Sequence, residues 1–435
     1  MDCQDLTRSH RRGLFANGAP LSAIQNRILN IFLYSLLGGT LLSMLLAIIL
    51  LLCAFSAKNF GSQSFDIILS VFSDFTYIMK VSLEESPFLV AGASYHPIGI
   101  IILYPFALIC RGVFAKYAGM DLTPNELTAK MWLHPEFWVA YILFFLICTS
   151  SIILLVIYEF RLQRTAAIKT AIIITVSAPL AYAITRGNTI FFALIFLLLF
   201  IVLHKSKSAF SREIGYVCLA ISGLIKIYPL FFGVFLLKKK RICASVRVAA
   251  YTALIFLLPF LFYRNGLYEL HGLLINLSSF ATSDAPLLNG ANISLAGLIF
   301  KVFCALSIPT GTVFNALHLI LISLVMIFAT VTAIAARSDF SRYVIGVCTF
   351  ALVPSVSYFY VLIFMLIPFM QFIREYDSLP KHKQILYSIF FMTFLCTVFV
   401  LPMYFVLQTL IIITMLIIEG ADAIKKDILH KKPKI

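Results

Sequence analysis

Polar positions break this chain only at intervals, and the apolar stretches between them are long. The main ones cover residues 28–55, 97–114, 132–158, 169–185, 189–203, 214–237, 246–263, 293–335, 343–373 and 385–418. A hydrocarbon core about 30 Å thick takes roughly 20 residues of helix to cross, so runs of this length predict membrane-spanning helices. The strict apolar–polar alternation of a membrane barrel is missing. The pattern predicts an all-α, polytopic integral membrane protein, a bundle of about 10–13 helices, several of them short or broken. It divides into a polar N-terminal tail (1–27), a membrane-embedded body (28–418) with outer segments at 56–96 and 264–292, and a basic C-terminal tail (419–435).

Interruptions inside the runs carry further information. Arg186-Gly187-Asn188 separates two apolar stretches and predicts a hairpin with Arg186 at its tip. The run 214–237 has basic clusters at both ends, yet its helical length of about 36 Å suffices for one crossing and not two. Two half-length helices turning at Lys226, between Gly223 and Pro229, satisfy both facts. Such a broken backbone is tolerated only where protein or a cavity covers it. Pro354, with Ser355 and Ser357, breaks 343–373 in the same way. Residues 97–158 hold two runs where the flanking charges allow one crossing, so either one run stops short of a span or part of the preceding outer segment enters the membrane.

Composition excludes a soluble enzyme: 61% of residues are hydrophobic and 12% charged, with 41 Phe and 19 Tyr. The net charge of +15 does not call for a nucleic-acid partner, because the basic residues gather in short clusters between apolar runs, the mark of cytoplasmic loops. Both termini are therefore expected in the cytoplasm, in a plasma membrane or bacterial inner membrane. The nine cysteines stand singly, mostly inside apolar runs, which argues against disulfides and zinc. No metal or other cofactor is expected.

Three charged residues stand out. Asp74 lies among apolar neighbours in Phe72-Ser73-Asp74-Phe75, eight residues after Asp66 and on roughly the same face of a helix. A carboxylate held above the lipid acts as a general base on a sugar hydroxyl; the alternative is a solvated loop acid, which is the reading for Asp66, Glu84 and Glu85. Lys226 sits mid-run, where a charge costs roughly 2.5–3.5 kcal/mol on insertion scales. A bound phosphate would compensate it, as would snorkelling or an internal salt bridge. Arg186 suits phosphate oxygens, or equally an interfacial position among headgroups. Asn188, His96, His271 and Tyr358 are candidate substrate contacts, with helix-end and aromatic-belt roles as their alternative. A base, two cations and a membrane cavity fit transfer from a lipid-linked phosphate. A flippase, transporter or polymerase of lipid-linked sugars is the alternative, although no internal repeat of the kind many transporters show is visible.

The order of motifs also matters: Ser73-Asp74-Phe75 after the first span, Tyr95-His96-Pro97, Arg186-Gly187-Asn188, Ser222-Gly223-Leu224-Ile225-Lys226-Ile227-Tyr228-Pro229, and Pro354-Ser355 with Tyr358. This order resembles glycosyltransferase family 87, the polyprenol-phosphate-mannose-dependent mannosyltransferases of the GT-C membrane fold. The likeness covers about residues 30–375 and is most specific from Arg186 to Pro229. Family members often have Gly-Gln where this chain has Gly187-Asn188, and histidines near the position of Tyr358 to Tyr360. The resemblance implies inverting transfer of mannose or a similar hexose from a polyprenyl-phosphate donor to a lipid-linked or cell-envelope glycan on the outer face, with Asp74 as base.

Overall fold

The computed structural model describes residues 22–56, 71–120, 122–237, 242–282, 287, 292–395 and 402–431. Among them the structure is helical, and the one β feature is an isolated bridge between Asn292 and Tyr358. The first half holds α1 (Ala23–Ser56), α2 (Ser73–Ser82), α3 (Pro97–Ile101), α4 (Tyr104–Lys116), α5 (Pro124–Met131), α6 (Pro135–Phe160), α7 (Arg164–Val176), α8 (Ala178–Arg186), α9 (Ile190–Leu203) and α10 (Ala209–Ile225). A 3-10 turn, Tyr228–Gly233, leads into α11 (Val234–Leu237), followed by α12 (Ile242–Leu257), α13 (Tyr268–Thr282), α14 (Leu295–Ala305), α15 (Thr312–Ala335) and α16 (Asp339–Leu352). A second 3-10 segment, Phe359–Met365, precedes α17 (Leu366–Glu375), α18 (Lys381–Leu395) and α19 (Pro402–Lys431).

The all-α membrane architecture expected from the sequence is the one observed. Five described helices are long and apolar enough to cross a membrane: Pro135–Phe160, Ile242–Leu261, Thr312–Ala335, Phe359–Ser378 and Tyr404–Ile428. The pair α7–α8, bent by 52°, adds a sixth, and four further apolar helices are shorter. The bend falls at Ser177, whose extended backbone precedes Ala178-Pro179 at the start of α8. α6 shows the composition of a span. Phe137, Ala140, Tyr141, Phe144, Cys148 and Ile152 form its buried stripe, while Val139, Ile142, Leu146 and Leu154 point outward and exposed. A helix that is apolar on both faces reads as lipid-facing. Burial orders the bundle: 83% of the apolar stretch of Phe359–Ser378 is buried, against 17% for Ile242–Leu261 and for Thr312–Ala335. The first is the axis of the bundle and the other two form its rim.

The parity problem in 97–158 resolves itself. His96, just before α3, packs against Phe256 and lies within electrostatic reach of Lys226. Tyr117, just after α4, meets His134 at 3.0 Å at the start of α6, and Phe106 between them touches Phe75. The α3–α4 run therefore returns to the end of the bundle where Asp74 sits, and α6 alone crosses to Arg161.

Two polar networks hold the ends together. At the Asp74 end, Glu269 of α13 is buried and accepts from the Ser86 hydroxyl, the Phe88 and Leu89 amides (2.9 and 3.1 Å) and the Asn265 amide (2.9 Å). Burial alone would raise its pKa; these bonds outweigh it and hold the carboxyl below the ordinary glutamate value. Asn276 donates to Phe88 and Ala93 carbonyls, so the outer segments expected at 56–96 and 264–292 are locked together where they are described.

At the other end, Lys383 is buried between Glu419 (2.6 Å) and Asp422 (2.5 Å), and Glu419 also accepts from Tyr387 and Ser341. A buried charge is tolerated when it is paired and its remaining hydrogen bonds are filled. The boundary expected at 418 falls inside α19, which runs unbroken to Lys431 with Glu419 fully buried. The first turn of the expected tail thus belongs to the bundle. The expected N-terminal tail lies outside the described residues, except for its last few positions, which cap and begin α1.

Candidate active site

Asp74 sits in the first turn of α2, where the helix dipole favours a carboxylate. Phe72, with φ 61°, turns the chain into this helix, and its amide donates to the Thr185 carbonyl at 2.6 Å. Its ring is seated among Trp132, Phe137, Trp138 and Tyr141, which fixes α2 against the start of α6.

The Arg186-Gly187-Asn188 tip is built to meet that carboxylate. α8 ends in a Schellman turn: the Gly187 amide bonds the Ile184 carbonyl (2.8 Å) and the Asn188 amide bonds the Ala183 carbonyl (3.3 Å). Gly187 has φ 61°, and a Cβ there would lie 2.5 Å from Cβ of Phe75. Arg186 and Asn188 consequently converge on Asp74. Arg186 donates from Nη2 to Oδ1 (2.6 Å) and from Nε to Oδ2 (3.2 Å), and Asn188 Nδ2 donates to Oδ2 (2.8 Å). The oxygen of the Asn188 amide accepts from the Ile190 amide at 3.0 Å, so this fully buried side chain joins α9 to the carboxylate. A carboxylate offers about four lone-pair directions. The three bonds leave one on Oδ1, and the side chain is 13% exposed. Gly187→Ala should push Phe75 and the Asp74 clamp apart; activity of the purified variant should fall at least about tenfold, as expected when a catalytic group moves by roughly 1 Å.

Lys226 lies where the sequence places it, at a break between two helical pieces. It ends α10 in an extended conformation (φ −143°, ψ 121°), and the 3-10 turn containing Pro229 follows. Its ammonium stands 5.1 Å from the ring centre of Tyr95 and 5.6 Å from that of Tyr360. Both contacts are cation–π in geometry. Among the described residues no carboxylate lies within ion-pair distance of it, in contrast to Lys383. It nevertheless feels the charges of Asp74 and Arg186. The salt-bridge alternative for Lys226 is therefore not what these residues show. Two residues on, the Tyr228 hydroxyl is buried and has no hydrogen-bond partner among the described residues.

The other candidates fall into two groups. His96 and Tyr358 belong to the same region: His96 feels Lys226, and Tyr358 feels Arg186 and Asp74. His271 is exposed on α13, against Tyr268, and lines an open surface groove of about 630 Å³ with Leu267, Leu270, Leu274, Ile275, Ser278 and Ser279. No contact joins it to Asp74 among the described residues. Glu85 pairs with Arg264 at the surface, and Asp66 lies outside the described residues. No group of three or more His, Cys, Asp or Glu side chains that could hold a metal ion occurs among the described residues.

Sequence reasoning missed Tyr95, Tyr182, Tyr360 and Asn292. Tyr95 enters the sequence pattern only as part of Tyr95-His96-Pro97 and Tyr360 only beside Tyr358, and nothing distinguishes Tyr182 in a chain with 19 tyrosines. Asn292 carries only a glycosylation-like pattern, yet it is fully buried: Oδ1 accepts from the Ser294 and Ser357 amides (3.1 and 3.0 Å), and Nδ2 donates to the Ser355 carbonyl (3.2 Å). It thereby holds the Pro354–Tyr358 segment in place.

No curated protein matches the sequence. The model of glycosyltransferase family 87 matches residues 94–357, which takes in Tyr95, Arg186, Asn188, Lys226 and Asn292. Asp74 precedes the matched region and is brought to it by the fold. With more than half of its length matched, and with its apolar helices and clamped aspartate on one bundle, the chain belongs to glycosyltransferase family 87 and is a membrane glycosyltransferase.

Proposed function

We propose that the protein transfers a hexosyl group, mannose being the leading candidate, from a polyprenyl-phosphate donor to a lipid-linked or cell-envelope glycan on the outer face of the membrane, with inversion at the anomeric carbon. The observation that supports it best is a juxtaposition: a carboxylate oriented by Arg186 and Asn188 lies within electrostatic reach of Lys226, a cation with no carboxylate at ion-pair distance among the described residues.

In the proposed step the acceptor hydroxyl attacks the anomeric carbon. Its new C–O bond forms as the bond from that carbon to the phosphate oxygen breaks, and its proton passes to Asp74 through the unused lone pair on Oδ1. The polyprenyl phosphate leaves with the electron pair. Lys226 stabilises that growing negative charge, and Arg186, which orients the base, adds its own positive field. The step balances without a metal ion or other cofactor; the polyprenyl-phosphate sugar is a substrate. Asn188 acts by holding Asp74, and His96 and Tyr358 are contacts for the substrate. His271, which makes no contact with this cluster among the described residues, would serve only a bulky acceptor.

The bilayer holds the donor's lipid tail. In this reading the end opposite Asp74 and both termini face the cytoplasm of a bacterial cell, which the basic clusters between the spans support through the positive-inside rule. The test uses the purified full-length protein with polyprenyl-phosphate mannose, related hexose donors and candidate glycolipid acceptors, with the product's anomeric configuration read by NMR. Inversion is expected. Retained configuration would contradict direct displacement, and turnover of nucleotide sugars alone would contradict the donor class.

A further inference from the structure

Between the cation and the base lies a set of aromatic rings that the proposed step leaves unused. Tyr360 is their common member. Lys226 stands over its ring at 5.6 Å, Tyr182 stacks on it at 6.2 Å with planes 20° apart, and Tyr358 meets it edge-on at 5.8 Å. Tyr182 is four residues before Arg186 on α8, hence on the same helix face as the residue that clamps Asp74. A continuous path therefore runs from Lys226 through Tyr360 and Tyr182 to Arg186 and Asp74.

Aromatic packing alone accounts for part of this cluster, as it does for the Phe72 cluster nearby. Three features set it apart. Its members are phenols gathered around charges rather than hydrocarbon rings. Tyr182 and Tyr358 are only half-buried, at the edge of the cluster, whereas Tyr360 is buried beneath them. The segment carrying Tyr358 and Tyr360 is fixed in advance: besides the bonds of Asn292, the Ile293 amide donates to the Ser357 carbonyl (2.8 Å) and the Ser294 hydroxyl to the Ser355 carbonyl (2.9 Å). Groups held this way are suited to a binding site.

We infer that Tyr182, Tyr358 and Tyr360 form a platform for the pyranose ring of the donor, carrying the transferred sugar between the phosphate at Lys226 and the base Asp74. A hexopyranose has an apolar face of C–H groups and a rim of hydroxyls. The negative face of an aromatic ring complements the first, and phenol hydroxyls donate to or accept from the second. Tyr228, whose buried hydroxyl has no partner among the described residues, lies near Tyr360 and offers a donor to a ligand oxygen. The donor sugar, rather than the acceptor sugar, fits because the platform begins at the ring over which Lys226 stands.

The inference rests on the proposed function, and binding of two probes separates their failures. Full-length protein in detergent is titrated calorimetrically with short-chain polyprenyl-phosphate mannose and with the same polyprenyl phosphate lacking the sugar. Tyr182→Leu and Tyr358→Leu should each weaken the sugar-bearing probe by roughly 3- to 10-fold, the scale of one aromatic contact, and leave the bare phosphate unchanged. Tyr182→Phe, which keeps the ring face and loses only the hydroxyl, should weaken the sugar-bearing probe less than Tyr182→Leu and leave the bare phosphate unchanged. Equal weakening of both probes would assign the tyrosines to holding Lys226 or the fold and overturn the inference, as would unchanged binding of the sugar probe by both leucine variants. Wild-type protein that binds neither probe removes the underlying donor assignment, and the inference with it.

Discussion

Asp74→Asn should cut transfer by about 10²–10⁴-fold, the range for loss of a general base, while donor affinity changes by no more than a few-fold. Asparagine has the same shape but no charge, and it has no oxygen lone pair able to take up a proton at neutral pH. It also replaces one acceptor atom by a donor. Oδ1 faces Arg186 and Oδ2 faces both Arg186 and Asn188, so either orientation of the new amide sets N–H against N–H. The clamp therefore loosens as the base is lost. Because the donor's phosphate is assigned to Lys226, binding should survive. Calorimetry with the polyprenyl-phosphate sugar, run beside a transfer assay, checks both halves. Full transfer by the variant would exclude Asp74 as base.

Lys226→Met should lower the rate by about 10²–10³-fold, the scale of removing one group that stabilises developing charge, and should weaken donor binding as well. Methionine is a mild replacement at this place. It keeps the length of the side chain, and its sulfur packs favourably against rings such as those of Tyr95 and Tyr360. Stability should consequently change little, which separates this position from Lys383, where two carboxylates would be left without their cation. Steady-state kinetics with varied donor, together with a thermal melt in detergent, tests the distinction. An unchanged KM for donor and unchanged kcat would leave Lys226 without the assigned role.

Much of the site was legible because polar residues are conspicuous in an apolar chain. Arg186-Gly187-Asn188 and Lys226 each interrupt a run, and the structure places both at helix ends, the first in contact with Asp74 and the second within its electrostatic reach. The span parity of 97–158 was not legible, since hydropathy records that α3 and α4 are apolar and not that their ends return to one side. That Glu419 packs into the bundle was not legible for a related reason. Lys425 and Lys426 signal a tail, whereas Glu419, one turn and a half earlier, is drawn into the bundle by Lys383, a partner 36 positions away in sequence. The clamp on Asp74 has the same character. Arg186 suggests a phosphate ligand by type alone, and only the fold reveals that it also grips a carboxylate 112 residues away. Tyr95 and Tyr360 carry no charge that would mark them as a pair; their shared meaning comes from the ammonium over both rings.

The most direct measurement is an experimental structure of the protein in lipid nanodiscs with bare polyprenyl phosphate bound. A phosphate oxygen should lie within roughly 3 Å of the Lys226 ammonium, with Asp74 still held by Arg186 and Asn188 across the space left for a sugar. A phosphate seated elsewhere, with Lys226 still packed unliganded on Tyr95 and Tyr360, would contradict the account.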